Sequence, residues 1–188
     1  MPHPLELEYG LSAEELLDAI NKRFRAKVTL EGAVAEVKVG KILQNLQSIR
    51  FIQKFEQHDL DGYPDYSIQI AGRKKKLRLE CKNIRDSDEA YRKNGEVIAY
   101  KVETQKTRAS RGDASSRFYG YDQFEILAVC LGKKTKNWSD FLFIRTNRLD
   151  RHPKYPKKLA TMQRVPLPAS SNLGHWSAEL TKILKSFQ

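Results

Sequence analysis

The feature that most constrains the fold is a pair of alternating runs joined by a glycine turn. Tyr66-Ser67-Ile68-Gln69-Ile70 puts Tyr66, Ile68 and Ile70 on one side and polar residues on the other. That is the period of a half-buried strand. Ala71-Gly72-Arg73-Lys74 supplies a turn, with Gly72 free to take positive φ. In the second run Leu77, Leu79 and Cys81 point one way, and Arg78, Glu80 and Lys82 the other. A turn centred near Gly72 makes antiparallel partners sum to about 145 in residue number, which sets Asp65 opposite Glu80. Residues so opposed share a face with Cβ atoms roughly 5 Å apart, and Lys82 lies on that same face.

Two carboxylates at roughly 5 Å repel by on the order of 3 kcal/mol at an effective dielectric of about 20. A divalent cation turns that cost into a binding site. Hard oxygen donors, with no neighbouring His or Cys pair, favour Mg²⁺ or Mn²⁺ over zinc. A lysine beside the ion orients or helps deprotonate a water, and the set suits metal-assisted hydrolysis of a phosphodiester. The plain alternative is a surface hairpin on which Glu80 and Lys82 are merely solvated.

Pro64-Asp65 followed by Glu80-x-Lys82, fifteen positions after the aspartate, resembles the PD-(D/E)xK nuclease superfamily. Many restriction endonucleases and junction resolvases belong to it. The resemblance covers roughly residues 30–131 and implies an α/β restriction-endonuclease-like core, a mixed β-sheet of about five or six strands flanked by α-helices. It implies Asp65 and Glu80 as metal ligands, assisted by the backbone carbonyl of Cys81, with Lys82 orienting the attacking water. A glutamate from the helix before the sheet often joins the metal shell in this superfamily, a role that falls to Glu36. The activity implied is a Mg²⁺-dependent endonuclease acting on double-stranded DNA, with Mn²⁺ substituting. Small size without a partner domain resembles a type II restriction enzyme, which needs a homodimer to cut both strands. Some members also place a Gln and a basic residue beyond this strand, here Gln105 and Lys106. Ala109 stands where a Gln-x-x-x-Tyr pattern needs tyrosine, which argues against the processive-exonuclease subgroup. A structure-specific repair or junction-resolving nuclease would share every catalytic residue. Outside enzymes, a basic nucleic-acid-binding module with an accidental acidic hairpin is the rival.

The 188 residues suit one domain spanning 1–188. Their net charge of +11 favours a polyanionic partner, nucleic acid first, although a ribosomal or membrane-surface protein would share it. No apolar run approaches the roughly 20 residues needed to span a bilayer, and the N-terminus lacks a signal-peptide pattern. Cys81 and Cys130 fall in predicted strands without CxxC spacing, so neither a disulfide framework nor zinc is indicated and a cytoplasmic setting is expected.

Ser12 to Glu15 reads as a capping box opening a helix over about 12–26. A second helix is predicted from Leu30 to Gln44, with Ala35, Val39, Ile42, Leu43 and Leu46 as its apolar stripe. Glu36 lies beside that stripe and needs a partner; a salt bridge to Lys38 or Lys41, or simple exposure, would also serve. Residues 48–56 suit a first strand, and Asp59 and Asp61 a solvated loop. The stretch 83–94 shows no period and is expected to be an irregular loop, whereas 97–105 alternates as a strand. Arg108, Arg111, Arg117 and Tyr119 interleave cations with aromatics and suit phosphate contacts and base stacking. Arg73, Lys74, Lys75 and Lys76 at the hairpin tip join them as candidate DNA contacts; a charged loop over core aromatics is the alternative for the later segment. Phe124 to Leu131 is the most apolar run, predicted as a central buried strand, and Phe141 to Ile144 as another. Residues 150–188 read as an irregular basic segment closed by a helix over about 177–187.

Overall fold

In this computed structural model the structure describes residues 1–60, 62–86, 88–106 and 112–187. Asp61 and the expected DNA contacts Arg108 and Arg111 lie outside the described residues. The chain divides into two units, Met1–Val34 and Ala35–Gln188.

The first unit holds α1 (Pro4–Tyr9), α2 (Ala13–Asn21) and the opening turns of α3 (Phe24–Ser48). Ser12 caps α2 and Glu15 reaches back to the Ser12 amide, as the capping box requires. The predicted helix over 12–26 stops earlier, because Lys22 closes α2 and Arg23 donates its amide to the Ile20 carbonyl. The next helix starts at Phe24 instead of Leu30. It runs on past Gln44 to Ser48, where Arg50 at φ 58° turns the chain away.

The second unit is built on a five-stranded sheet of β1 (Ile52–Gln57), β2 (Tyr66–Ile70), β3 (Leu77–Asn83), β6 (Ile126–Cys130) and β7 (Phe141–Arg145), in the order β1-β2-β3-β6-β7. β3 and β6 run parallel; the other neighbours are antiparallel. Tyr66 faces Leu79, Ser67 faces Arg78 and Ile68 faces Leu77, the predicted register, with Gly72 at φ 76° in the turn. All five residues of β6 are buried, as expected of a strand covered on both faces. On one face Tyr66, Ile68, Leu79 and Ala128 pack against Ala35, Val39 and Leu43 of α3 and Leu184 of α5 (Leu180–Lys185). On the other, Leu127, Val129 and Ile144 pack against Val102, Phe124 and Val165. Cys81 and Cys130 are buried free thiols.

Three expectations need correction here. The stretch 83–94 is not a loop throughout: it contains β4 (Ala90–Lys93), joined to β5 (Glu96–Glu103) by Asn94 and Gly95 at φ 51° and 84°. Two consecutive positive φ values make the tight turn whose twist suits a hairpin. Ile98 is an extra residue in β5, between partners Tyr91–Ala99 and Arg92–Val97, and this bulge throws it outward. The segment from Asp150 is not wholly irregular either, because β8 (Met162–Val165) pairs with β5. The strands therefore form the five-stranded mixed sheet plus a separate three-stranded sheet, β4-β5-β8. A short α4 (Gly132–Thr135) follows β6, and α5 is shorter than the predicted 177–187. No helix among the described residues is long and apolar enough to cross a membrane.

The contact that seats the sheet on α3 is Tyr66, whose hydroxyl donates to the Glu36 carbonyl at 2.9 Å. A Cβ at Gly40 would lie 2.8 Å from that hydroxyl. Alanine at this position would gain about 1 kcal/mol of helix propensity, but it presses on a fully buried ring that cannot swing aside. We therefore expect Gly40→Ala to destabilise by about 1–2 kcal/mol net, and much less in a Tyr66→Phe background. Urea unfolding of the four-protein cycle measures the coupling; additivity of the two changes would show that the close approach does not matter.

Candidate active site

Asp65 sits just before β2, where the backbone ladder to β3 ends. Its Oδ2 accepts the Cys81 N–H at 2.6 Å, extending the strand pairing by one side-chain bond. Its carbonyl accepts the His58 N–H at 2.9 Å. Glu80, only 4% exposed, points to the face opposite Leu79 and Cys81. Glu80 Oε1 accepts from both Lys82 Nζ and the Tyr119 hydroxyl, each at 2.5 Å. The Tyr119 ring lies beneath Lys82, 5.5 Å from Nζ to the ring centroid, and Lys106 Nζ stands 5.9 Å from the same ring. Glu36, half-buried on α3, touches none of these groups and reaches Asp65 only through its charge.

Burial pushes the Asp65 carboxyl up to about 7, with Glu80 adding to the rise; Lys82 and the Cys81 amide oppose it. Glu36 is raised as well, by burial first, against the pull of Lys82. Burial works against a charged Lys82, yet Glu80, Tyr119 and Asp65 outweigh it and hold the ammonium above the ordinary lysine range. Burial also leads the rise of the Tyr119 hydroxyl, which keeps it a donor to Glu80. Thus the Lys82 ammonium is paired directly with Glu80 and offsets only in part the carboxyl charge of Asp65 and Glu36.

This oxygen-rich, under-neutralised group fits a hard divalent cation better than a soft one. Among the described residues no three His, Cys, Asp or Glu side chains converge into a ligand set by themselves. An ion here would rest on two carboxylates and a backbone carbonyl, with waters or a phosphate for the remainder, which is how Mg²⁺ is commonly held.

The structure brings Asp65, Glu80, Cys81 and Lys82 together and adds Tyr119, expected as a DNA contact, as the hydrogen-bond partner of Glu80; Glu36 makes no direct contact with them and acts on Asp65 only through its charge. Nothing in the sequence signals that pairing beyond an aromatic in a basic segment. The hairpin tip lies at the other end of β2, roughly 17 Å away at about 3.3 Å per residue. There Arg73 donates to the Phe187 carbonyl, Lys75 approaches Glu125 at 3.8 Å, Lys76 pairs with Glu56 at 2.8 Å, and Lys74 is exposed. Gln105 donates to Glu103, and Arg117 Nε donates to the Lys106 carbonyl at 3.4 Å.

The raised Asp65 carboxyl gives a signed prediction. The folded protein keeps a proton that the unfolded chain, near 3.8, has released, so stability is lost as pH rises from about 4 to about 7. Asp65→Asn should remove this loss. In EDTA its unfolding free energy from urea titration should exceed that of the wild type at pH 8, by an amount of the order of a few kcal/mol, and match it near pH 4. A gap of equal size at both pH values would show that Asp65 is not the titrating group.

No family model matches the chain, and no curated protein matches it. Among solved structures it is similar to a bacterial homing endonuclease, I-Ssp6803I, with a TM-score of 0.53 at 14% identity, over 85% of this chain and 94% of that one. The fold is accordingly the restriction-endonuclease-like α/β fold, with a five-stranded mixed sheet and flanking helices.

Proposed function

We propose that this chain is a divalent-metal-dependent DNA endonuclease of the type II restriction kind, acting on duplex DNA as a homodimer. The observation that carries the proposal is the buried Glu80 carboxylate, held by Lys82 and Tyr119 beside an Asp65 whose carboxyl is pushed up to about 7. The shared fold with a homing endonuclease and the net charge of +11 support it.

Asp65, Glu80 and the Cys81 carbonyl would hold the ion, and Glu36 would order the waters beyond them. Bound Mg²⁺, or Mn²⁺ in its place, would supply Lewis-acid stabilisation of the phosphate and a more acidic water. Lys82 keeps its proton through its carboxylate neighbours, so it acts as a fixed positive hydrogen-bond donor that aims the attacking water and faces the charge developing on phosphate. Tyr119 acts one step back, by fixing the Glu80 carboxylate and the position of Lys82 above its ring.

DNA would be held by phosphate contacts from Lys106 and Arg117 near the site and from Arg73, Lys74, Lys75 and Lys76 at the tip. The distance of roughly 17 Å along β2 corresponds to about five base pairs of duplex. The tip therefore suits flanking phosphates, and its exposed ion pairs cost little to exchange for DNA. Gln105 borders the same region. A homing-type cutter is a second reading, favoured by the identity of the structural neighbour.

Lys82→Ala should slow Mg²⁺-dependent cleavage of a supercoiled plasmid by at least about a hundredfold and leave duplex affinity within a few-fold, because thirty-three other Lys and Arg residues remain. Wild-type nicking that persists in EDTA, or full activity in the variant, would remove this site from the chemistry. Absence of cleavage on any DNA, with binding intact, would favour the binding module. Many discrete fragments from genomic DNA would mark a restriction-type enzyme, few or none a homing-type one, and cutting confined to branched DNA a junction-resolving one.

A further inference from the structure

Not one of residues 1–34 is buried, although they form helices rich in large apolar side chains. Leu7 is 72% exposed, Tyr9 59%, Leu17 58% and Phe24 75%, with Leu5 and Val28 also exposed. Leu5 and Tyr9 stand four apart on α1, and Phe24 and Val28 four apart on α3, so each pair shares a helix face. Helices of six and nine residues are marginal in water without a packed face. So much exposed apolar surface in one short segment marks an interaction site.

The charges in this segment are sorted. Residues 1–21 carry five acids, Glu6, Glu8, Glu14, Glu15 and Asp18, and no Lys or Arg. Residues 22–27 carry Lys22, Arg23, Arg25 and Lys27 and no acid. An acid-led segment is a poor match for DNA, and helices that lie on membranes carry cations on their polar face. Two copies related by a two-fold axis, however, bring the acidic stretch of each onto the basic stretch of the other. That is the self-complementarity that an isologous interface demands.

We infer that residues 1–34 form a dimerisation arm whose occupant is the same segment of a second copy, packed antiparallel, with apolar side chains at the centre and opposed charges at the rim. The inference deepens the homodimer of the proposed function but needs none of its chemistry, since it is tested without DNA or metal.

The test is equilibrium sedimentation of the full chain in EDTA. The wild type should be a dimer, and Leu17→Glu with Phe24→Glu a monomer. Glu14→Lys with Asp18→Lys, and separately Arg23→Glu with Arg25→Glu, should each weaken self-association at least tenfold. An equimolar mixture of the two charge-reversed proteins should associate as tightly as the wild type, because each then offers the charge that the other lacks. All four positions are exposed, so the fold of each variant should be unchanged by circular dichroism. A wild type that stays monomeric throughout the micromolar range would overturn the inference. So would a dimer that both reversals leave intact, or a mixture that fails to recover.

Discussion

The register in which β2 meets β3 decides everything at the carboxylate site. Strand side chains alternate with period two, so a slip of one residue would turn Glu80 and Lys82 into the helix-facing core and Leu79 out of it. Several contacts hold the register, and two of them come from the site itself. Asp65 accepts the Cys81 amide just where the backbone ladder stops. Tyr66, the next residue, docks on the Glu36 carbonyl, and Gly40 provides the room. The acid that would bind metal thus also fixes the strand pairing that presents its partner.

That economy has a cost in electrostatics. Glu80 is buried and Asp65 largely drawn out of water, and the pair is given one lysine. A fold selected for stability alone would fill such a place with apolar side chains. A carboxylate-rich, under-neutralised cluster between two well-packed hydrophobic faces is the kind of arrangement that the proposed chemistry would use. Tyr119 softens the cost by donating to Glu80, and it does so without adding charge.

The elements legible in the sequence were those whose signal is local. The alternation of Tyr66 to Ile70 and Leu77 to Lys82 signals the hairpin, and the apolar run ending at Leu131 signals a central buried strand, whose parallel pairing with β3 only the structure shows. The β4–β5 hairpin was missed although Asn94-Gly95 is the strongest dipeptide signal for its turn; β4 is only four residues long and the bulge at Ile98 breaks the alternation opposite it. β8 gave no local sign. Its four residues precede Pro166, and its partner β5 lies some sixty residues earlier in the chain. Tyr119 reaches Glu80 across thirty-nine residues, so its role comes from tertiary folding. Helix ends were read too short or too long because capping, not propensity, set them at Lys22 and Arg50.

One quiet feature lies at the far side of the main sheet. β7 is an edge strand, yet Phe143 exchanges both backbone hydrogen bonds with Ser177, at 2.8 and 2.9 Å. The strand is apolar, and all but Arg145 of its five residues are buried. Left open, such an edge would recruit strands from other chains. The segment around Ser177 therefore acts as a stopper on the sheet. Its removal would be felt less as lost stability than as lost solubility, through edge-to-edge aggregation.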